Sequence, residues 1–311
     1  HVVPRAGVEG GEPPFGLLGE DQPMRRHTRA AARRLLAGML GGMLGAVVLV
    51  TGCSPGPSTP PADPAPSTTP GTTAPSAAPA PPASPEAGAC YRLSYDEAVA
   101  PTSDRAPVPC RRRHTAHTFH VGTIDALVDG HLLAVDSQRV QDQIARTCPR
   151  RLARFLGANE RQLRLSMFRS VWFSPTLEES DLGADWFRCD AVVLARRETL
   201  LPLRGGMRDA LATAPGRETY GLCATARPGT RAFARAVCSE DSSWRAVDTV
   251  ELTGKGYPGA GAVRRAGQQP CEDAGRQRAE DRLDFEWGYE WPSRRQWQAG
   301  TRYGVCWVPG D

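Results

Sequence analysis

The chain has 311 residues, of which 40% are hydrophobic and 23% charged, with a formal net charge of +4. This length is greater than that of one small domain and predicts about two domains. Residues 90–311 hold 32 basic and 28 acidic residues. This near balance argues against a nucleic-acid-binding protein, in which basic residues would be concentrated in one stripe.

The N-terminal region consists of segments of clearly different composition. Residues 1–23 lack periodicity and are interpreted as an upstream extension. Residues 24–34 are rich in arginine, and residues 35–50 form an uncharged apolar run. This run is shorter than the roughly 20 residues of a membrane helix, so residues 24–52 predict a signal peptide. Cys53 follows this segment in a context that resembles the lipobox of bacterial lipoproteins, and it is therefore the expected site of lipidation. A plain membrane anchor is the alternative.

Residues 53–88 predict a disordered linker. Between positions 54 and 88, 12 of the 35 residues are proline, and most of the others are alanine, serine or threonine. Such a segment cannot bury enough apolar surface to offset the entropy lost on ordering. We therefore expect a folded region that a lipid anchor and a linker hold at the outer face of the cell membrane.

Eight further cysteines form two sets with the same order of spacing. The sets are Cys90, Cys110, Cys148 and Cys189, and Cys223, Cys238, Cys271 and Cys306. Successive spacings are 20, 38 and 41 positions in the first set and 15, 33 and 35 in the second. An even number of cysteines in an exported chain predicts disulfides. We favour pairing the first with the second and the third with the fourth in each set, and other pairings within a set stay open.

The repeat extends beyond the cysteines. A proline and a glycine precede the last cysteine of each set at equal offsets: Pro175, Gly183 and Cys189, and Pro292, Gly300 and Cys306. The third cysteine of each set lies in a helix-like stretch, and the last cysteine of each set lies in a strand-like run. We expect an α+β protein with two repeated domains, 89–200 and 219–311, joined by residues 201–218. Each domain is predicted to be a small, mainly antiparallel sheet with a packed helix, and disulfides are expected to cross-link it.

The stretch CRRRHTAHTFH, residues 110–120, places three histidines at three-residue intervals. Its threonine and phenylalanine, followed by valine and isoleucine, favour a strand. The two-residue period of a strand puts His114 and His120 on one face and His117 on the other, which argues against a three-histidine zinc site. An oxidised Cys110 supplies no thiolate. We expect no metal and no other cofactor.

Four aromatic residues alternate with other residues in the stretch FEWGYEW. This pattern predicts that the rings of Phe285, Trp287, Tyr289 and Trp291 share one face of a strand. The rings could stack on sugars or on a partner's apolar surface. The interpretation that we favour is that they form the core beneath the helix that contains Cys271.

Two other motifs are not assigned a catalytic role. Residues 254–261 are rich in glycine but lack the Gly-Lys-Ser/Thr ending of a phosphate-binding loop, so they predict a turn before a helix. Glu178, Glu179 and Asp181 predict a solvated loop, although a carboxylate pair for hydrolysis is conceivable there.

The first set of cysteines has a familiar context. Residues 106–110 read APVPC, His114 stands four positions after the second cysteine, and a helix cysteine and a Pro…Gly…Cys pattern follow. This resembles the septum-formation domain family of actinobacterial envelope proteins, over most of residues 89–311. In the second set, Ser242 and Arg245 stand at the positions of His114 and His117. The resemblance implies a role near the division septum and supplies no reaction.

Together these patterns predict a non-enzymatic, lipid-anchored binding or scaffold protein of the cell envelope. The expected partner is an envelope or division protein or a cell-wall glycan, and not a nucleic acid. The candidate contact residues are His114, Trp287, Tyr289 and Trp291. The alternative is a cell-wall hydrolase that uses His114 and a loop carboxylate.

Overall fold

A computed structural model describes residues 80–310. The predicted signal peptide, Cys53 and most of the predicted linker lie outside these residues. Below, the first half denotes residues 89–200, the connector residues 201–218, and the second half residues 219–310.

The first half contains seven strands and four helices. In chain order they are β1 (Cys90–Tyr91), α1 (Tyr95–Ala98), β2 (Ala116–Thr123), β3 (Leu127–Val128), β4 (His131–Leu132), α2 (Gln138–Phe155), α3 (Glu160–Arg164), β5 (Phe168–Phe173), α4 (Leu177–Asp181), β6 (Trp186–Arg196) and β7 (Thr199–Leu200).

The connector and the second half contain five strands and three helices. They are α5 (Ala214–Thr219), β8 (Leu222–Ala224), β9 (Arg235–Val237), β10 (Trp244–Glu251), α6 (Ala260–Arg278), β11 (Gly288–Glu290), α7 (Arg294–Gln298) and β12 (Tyr303–Pro309).

The same antiparallel pairings recur in the two halves. Strand β2 pairs with β1 and with β6, and β6 also pairs with β5. In the second half, β10 pairs with β8 and with β12, and β12 also pairs with β11. A β-bulge interrupts β2 between Thr118 and His120, and another interrupts β10 between Ala246 and Asp248. The predicted α+β class with a mainly antiparallel sheet is confirmed.

The expectation of two separate domains is not confirmed. Ten strands form one sheet, whose main path runs β1-β2-β6-β9-β8-β10-β12-β11. The halves join where Arg196 of β6 pairs with Ala236 of β9. One cluster of buried residues also contains side chains from both halves, including Phe168 and Trp307. The two halves therefore share a sheet and a core.

Helix α2 packs one side against the sheet of the first half. Its buried residues are Val140, Ile144, Cys148, Leu152 and Phe155. Spacings of four and three residues place these side chains along one face of a helix. The helix predicted around Cys148 is thereby confirmed.

All four favoured cysteine pairings are confirmed. The disulfides are Cys90–Cys110, Cys148–Cys189, Cys223–Cys238 and Cys271–Cys306. The second bond ties α2 to β6, and the fourth ties α6 to β12. In each half a disulfide therefore fixes the long helix to the sheet.

Candidate functional site

His114 is buried immediately before β2, with 1% of its surface exposed. Its backbone exchanges two hydrogen bonds with Leu203 of the connector, at 3.1 and 2.7 Å. The ring Nδ1 lies 2.9 Å from the carbonyl oxygen of Arg112. Because a carbonyl only accepts hydrogen bonds, Nδ1 carries the proton. The other ring nitrogen, Nε2, is buried without a hydrogen-bond partner.

His117 is held between the connector and α2. The backbone N–H of Met207 donates to its Nδ1 at 2.9 Å. Its ring meets the ring of Phe155 edge-on, with the centroids 5.3 Å apart. Burial lowers the pKa of His117, and the neighbouring His114 and Arg208 lower that pKa further. The ring is therefore a neutral structural acceptor for the connector.

The prediction that His117 and His120 lie on opposite faces is wrong. The cause is the bulge between Thr118 and His120, which adds one residue to β2. His120 consequently pairs with Cys189, the residue that is bonded to α2, while His117 packs on Phe155 of α2. Both rings therefore face the helix.

Within residues 80–310, one group of three candidate metal ligands comes together: the ligand atoms of Cys90, Cys110 and His117 lie within 4.8 Å of one another. The two sulfur atoms are joined in a disulfide and supply no thiolate. The Nδ1 of His117 accepts a hydrogen bond, so its Nε2 carries the proton of the neutral ring. The group does not fit a metal ion in this oxidised state.

A buried charged cluster lies on the other face of β2 and β6. The Thr118 hydroxyl donates to Asp190 Oδ1 at 2.6 Å, and Arg188 Nε lies 3.3 Å from Asp190 Oδ2. The guanidinium of Arg188 lies over the rings of Tyr91 and Phe173, at 3.7 and 4.4 Å from their centroids. Burial raises the pKa of Asp190 to about 6, while Arg188 and the Thr118 bond act in the opposite direction.

This cluster is not among the candidate residues predicted from the sequence. Its signal was present, since Arg188 and Asp190 stand two positions apart in the otherwise apolar strand WFRCDAVVLA. Residues at this spacing share a face of a strand. The cluster is buried in a part of the sheet away from solvent, with Asp190 0% exposed. It therefore affects the stability of the first half and is not a binding site that a ligand can reach from solvent.

The aromatic residues of the second half lie against α6. Strand β11 covers only Gly288–Glu290, so it is shorter than the predicted strand. Tyr289 is buried and its hydroxyl donates to the Val263 carbonyl of α6 at 3.2 Å. Trp287 and Trp291 are half-buried in the cluster that contains Cys271. These contacts favour the core interpretation, and a binding role for the rings stays a prediction.

The acidic and the glycine-rich motifs lie in a helix and directly before a helix, respectively. The acidic residues at 178–181 lie in helix α4 and not in the predicted loop, because Thr176 and Glu179 cap that helix reciprocally. Helix α6 begins at Ala260, directly after the glycine-rich segment, as the predicted turn before a helix requires.

These features define an α+β protein whose four disulfides are typical of chains exported to an oxidising compartment. The chain belongs to the septum-formation family, whose model, described as Septum formation, matches residues 87–306. No curated protein and no solved structure is significantly similar to the chain. In the part of the chain that the structure describes, none of the helices is both long and apolar enough to cross a membrane.

Proposed function

We propose that this chain is a lipid-anchored binding protein of the cell envelope that acts in septum formation. Cys53 carries the lipid, the proline-rich segment spans the distance from the membrane, and the two halves are copies of one unit. The family match over residues 87–306 carries the proposal of a septal role. The oxidised cysteines support a location outside the cytoplasm.

Binding without catalysis is supported by the surroundings of His114. Its ring is buried, one ring nitrogen is engaged by the Arg112 carbonyl, and its backbone is paired with the connector. A general base must reach the proton that it abstracts. The Glu179 carboxylate serves as a helix cap in α4, which gives it a structural role.

Localisation of the full chain tests the septal role. A fluorescent fusion is expected to collect at the division septum, and depletion of the protein is expected to delay septation. A Cys53→Ala variant is expected to leave the membrane fraction while its folded part keeps the same melting temperature. An even envelope signal together with normal septa on depletion would contradict the proposal.

The alternative is a cell-wall hydrolase that uses His114 and a loop carboxylate. Purified cell wall is incubated with the wild-type protein and with His114→Asn, whose side-chain amide can still donate to the Arg112 carbonyl. We expect no release of wall fragments by either protein. Release by the wild type that is lost in an equally stable His114→Asn variant would establish the hydrolase instead.

A further inference from the structure

Four arginines lie on the exposed side of α2 near its C-terminal end: Arg146, Arg150, Arg151 and Arg154. At 100° per residue they span an arc of about 140° on one side of the helix. Among residues 80–310, the only carboxylate within ion-pair distance of these four is Asp142, 3.9 Å from Arg146. Positive charge on this helix is therefore largely unbalanced.

The connector extends this positive surface. Its residue Arg208 lies over the ring of Phe155, the last residue of α2, with 5.2 Å between the guanidinium carbon and the ring centroid. Further back along the connector, the N–H of Gly205 donates to the Cys110 carbonyl, which brings Arg204 beside the exposed residues 111–113.

The electrostatics of two histidines support the same arrangement. Burial lowers the pKa of both rings; His114 and Arg208 lower the pKa of His117 further, and Arg151 lowers that of His120 further. Both rings face α2, so the two arginines approach the same side of β2. The basic band is defined here as residues 111–113, the four arginines of α2, Arg204 and Arg208.

The second half provides an internal comparison. Counted from the equivalent cysteines, seven arginines of the band, at positions 111–113, 146, 150, 151 and 154, correspond to Ser239, Glu240, Asp241, Gln269, Asp273, Ala274 and Gln277. The formal charge of these positions is +7 in the first half and −3 in the second.

Helix α6 has arginines of its own, but they stand at other positions. One of them, Arg276, is paired with Glu272 and Asp273 at 2.7 and 3.0 Å. The same fold therefore forms without a basic band, and folding does not explain the charge of the first half.

We propose that the basic band binds an anionic polymer of the cell envelope that carries phosphate groups at regular intervals. The proposal rests on the proposed function as an envelope binding protein and names the class of its ligand. Arginine guanidinium groups bind phosphate oxygens through paired hydrogen bonds. The arginines at 146–154 extend over about 12 Å of helix, and the connector and residues 111–113 lengthen the surface further, which suits successive groups of a chain.

The test uses the full chain and long-chain inorganic polyphosphate as the probe. Affinity is measured at several salt concentrations for the wild type and for a variant with Arg146→Gln, Arg150→Gln, Arg151→Gln and Arg154→Gln. Each lost phosphate contact lowers the slope of log affinity against log salt by about 0.7, so the slope is expected to fall by about 3. At low salt we expect at least a tenfold loss of affinity.

A variant of the second half is the matched control. It carries Arg264→Gln, Arg265→Gln, Arg282→Gln and Arg295→Gln, which remove the same charge from exposed positions. We expect its affinity to stay within about twofold of the wild type. If both variants lose affinity equally, net charge and not the band is responsible, and the proposal fails.

Further outcomes also decide the proposal. Absence of polyphosphate binding, or binding only to vesicles of anionic phospholipid, would overturn it. If the α2 variant melts early, the single variants Arg150→Gln and Arg154→Gln are measured instead. Each is expected to lower the slope by about 0.7, and an unchanged slope in both would overturn the proposal. If the fluorescent fusion collects at the septum but the protein does not bind polyphosphate, the proposed class of ligand is refuted and the septal role is not.

Discussion

The two halves of the molecule form the same strand pairings around different interiors. The first half buries the polar side chains of Thr118, Arg188 and Asp190. The register of the paired strands places Ala246, Val305 and Trp307 at the equivalent positions. The arrangement of strands, bulge and helix disulfide is therefore compatible with either a charged or an apolar interior.

The buried ion pair of the first half is thus not a requirement of the fold. Taking an arginine and an aspartate out of water is costly, and the attraction between them often only offsets that cost. The second half avoids the cost with aliphatic and aromatic side chains. Removing interactions from each half in turn measures how far the two halves depend on one another.

The largest expected effect is the loss of a helix disulfide. Changing either Cys148 and Cys189 or Cys271 and Cys306 to alanine opens a loop of 41 or 35 residues. The chain-entropy model predicts a loss of about 4 kcal/mol in the free energy of unfolding in each case. Calorimetry is expected to show one cooperative transition, shifted similarly by both variants. Two transitions, of which each variant shifts only one, would show that the halves unfold separately.

The next effect concerns the buried ion pair. Arg188→Met leaves the Asp190 carboxylate buried without its counter-charge, and we expect a loss of about 3 kcal/mol. In Arg188→Met with Asp190→Leu, both charges are gone, as in the second half, and much of this loss is expected to be recovered. Urea unfolding at neutral pH measures both variants. A double variant less stable than the single one would contradict the comparison.

The pH dependence of stability follows from the raised pKa of Asp190. Its folded-state pKa of about 6 exceeds the ordinary value of 3.8, so the folded state retains a proton that the unfolded state loses. The contribution of this group is fully present below about pH 4 and is lost as the pH rises through about 6, and the two-unit shift corresponds to about 2 to 3 kcal/mol.

The variant Asp190→Asn isolates this contribution because it does not titrate but can still accept from Thr118. The stability of the wild type minus that of the variant is expected to fall from pH 4 to pH 7. A difference that rises over this range would mean that Arg188 dominates and that the pKa of Asp190 is lowered.

A smaller effect is expected where the Tyr289 side chain packs against a glycine of β12. A Cβ atom at Gly304 would lie 2.3 Å from atoms of the Tyr289 ring. Gly304→Ala is therefore expected to cost about 2 kcal/mol by overpacking. The same change made together with Tyr289→Leu, which shortens the opposing side chain, is expected to cost less. An equal cost in both backgrounds would show that the ring is not the obstacle.

The sequence predicted those features that local patterns encode. The cysteine spacing favoured the four pairings that form, a helix-like stretch predicted α2, and strand-like runs predicted the strands around Cys189 and Cys306. The face of His117 was mispredicted because a bulge depends on the partner strand and leaves no local signal. The single sheet was also missed, since the pairing of β6 with β9 brings together residues 40 positions apart, Arg196 and Ala236.

The candidate site was predicted less completely. The family position of His114 could be identified, but its burial depends on Leu203 of the connector, which the sequence does not place. The arginines at 111–113 were too few to indicate a binding surface by themselves. Only tertiary structure brings them toward α2 and the connector to form the basic band.

Septal localisation of two variants shows whether the first half carries the binding function. Fluorescent fusions of the full chain carry either the four α2 substitutions or the four matched substitutions of the second half. We predict that the second-half variant collects at the septum like the wild type and that the α2 variant spreads along the envelope at equal abundance. Septal collection of the α2 variant with loss of the second-half variant would show that the second half carries the binding function instead.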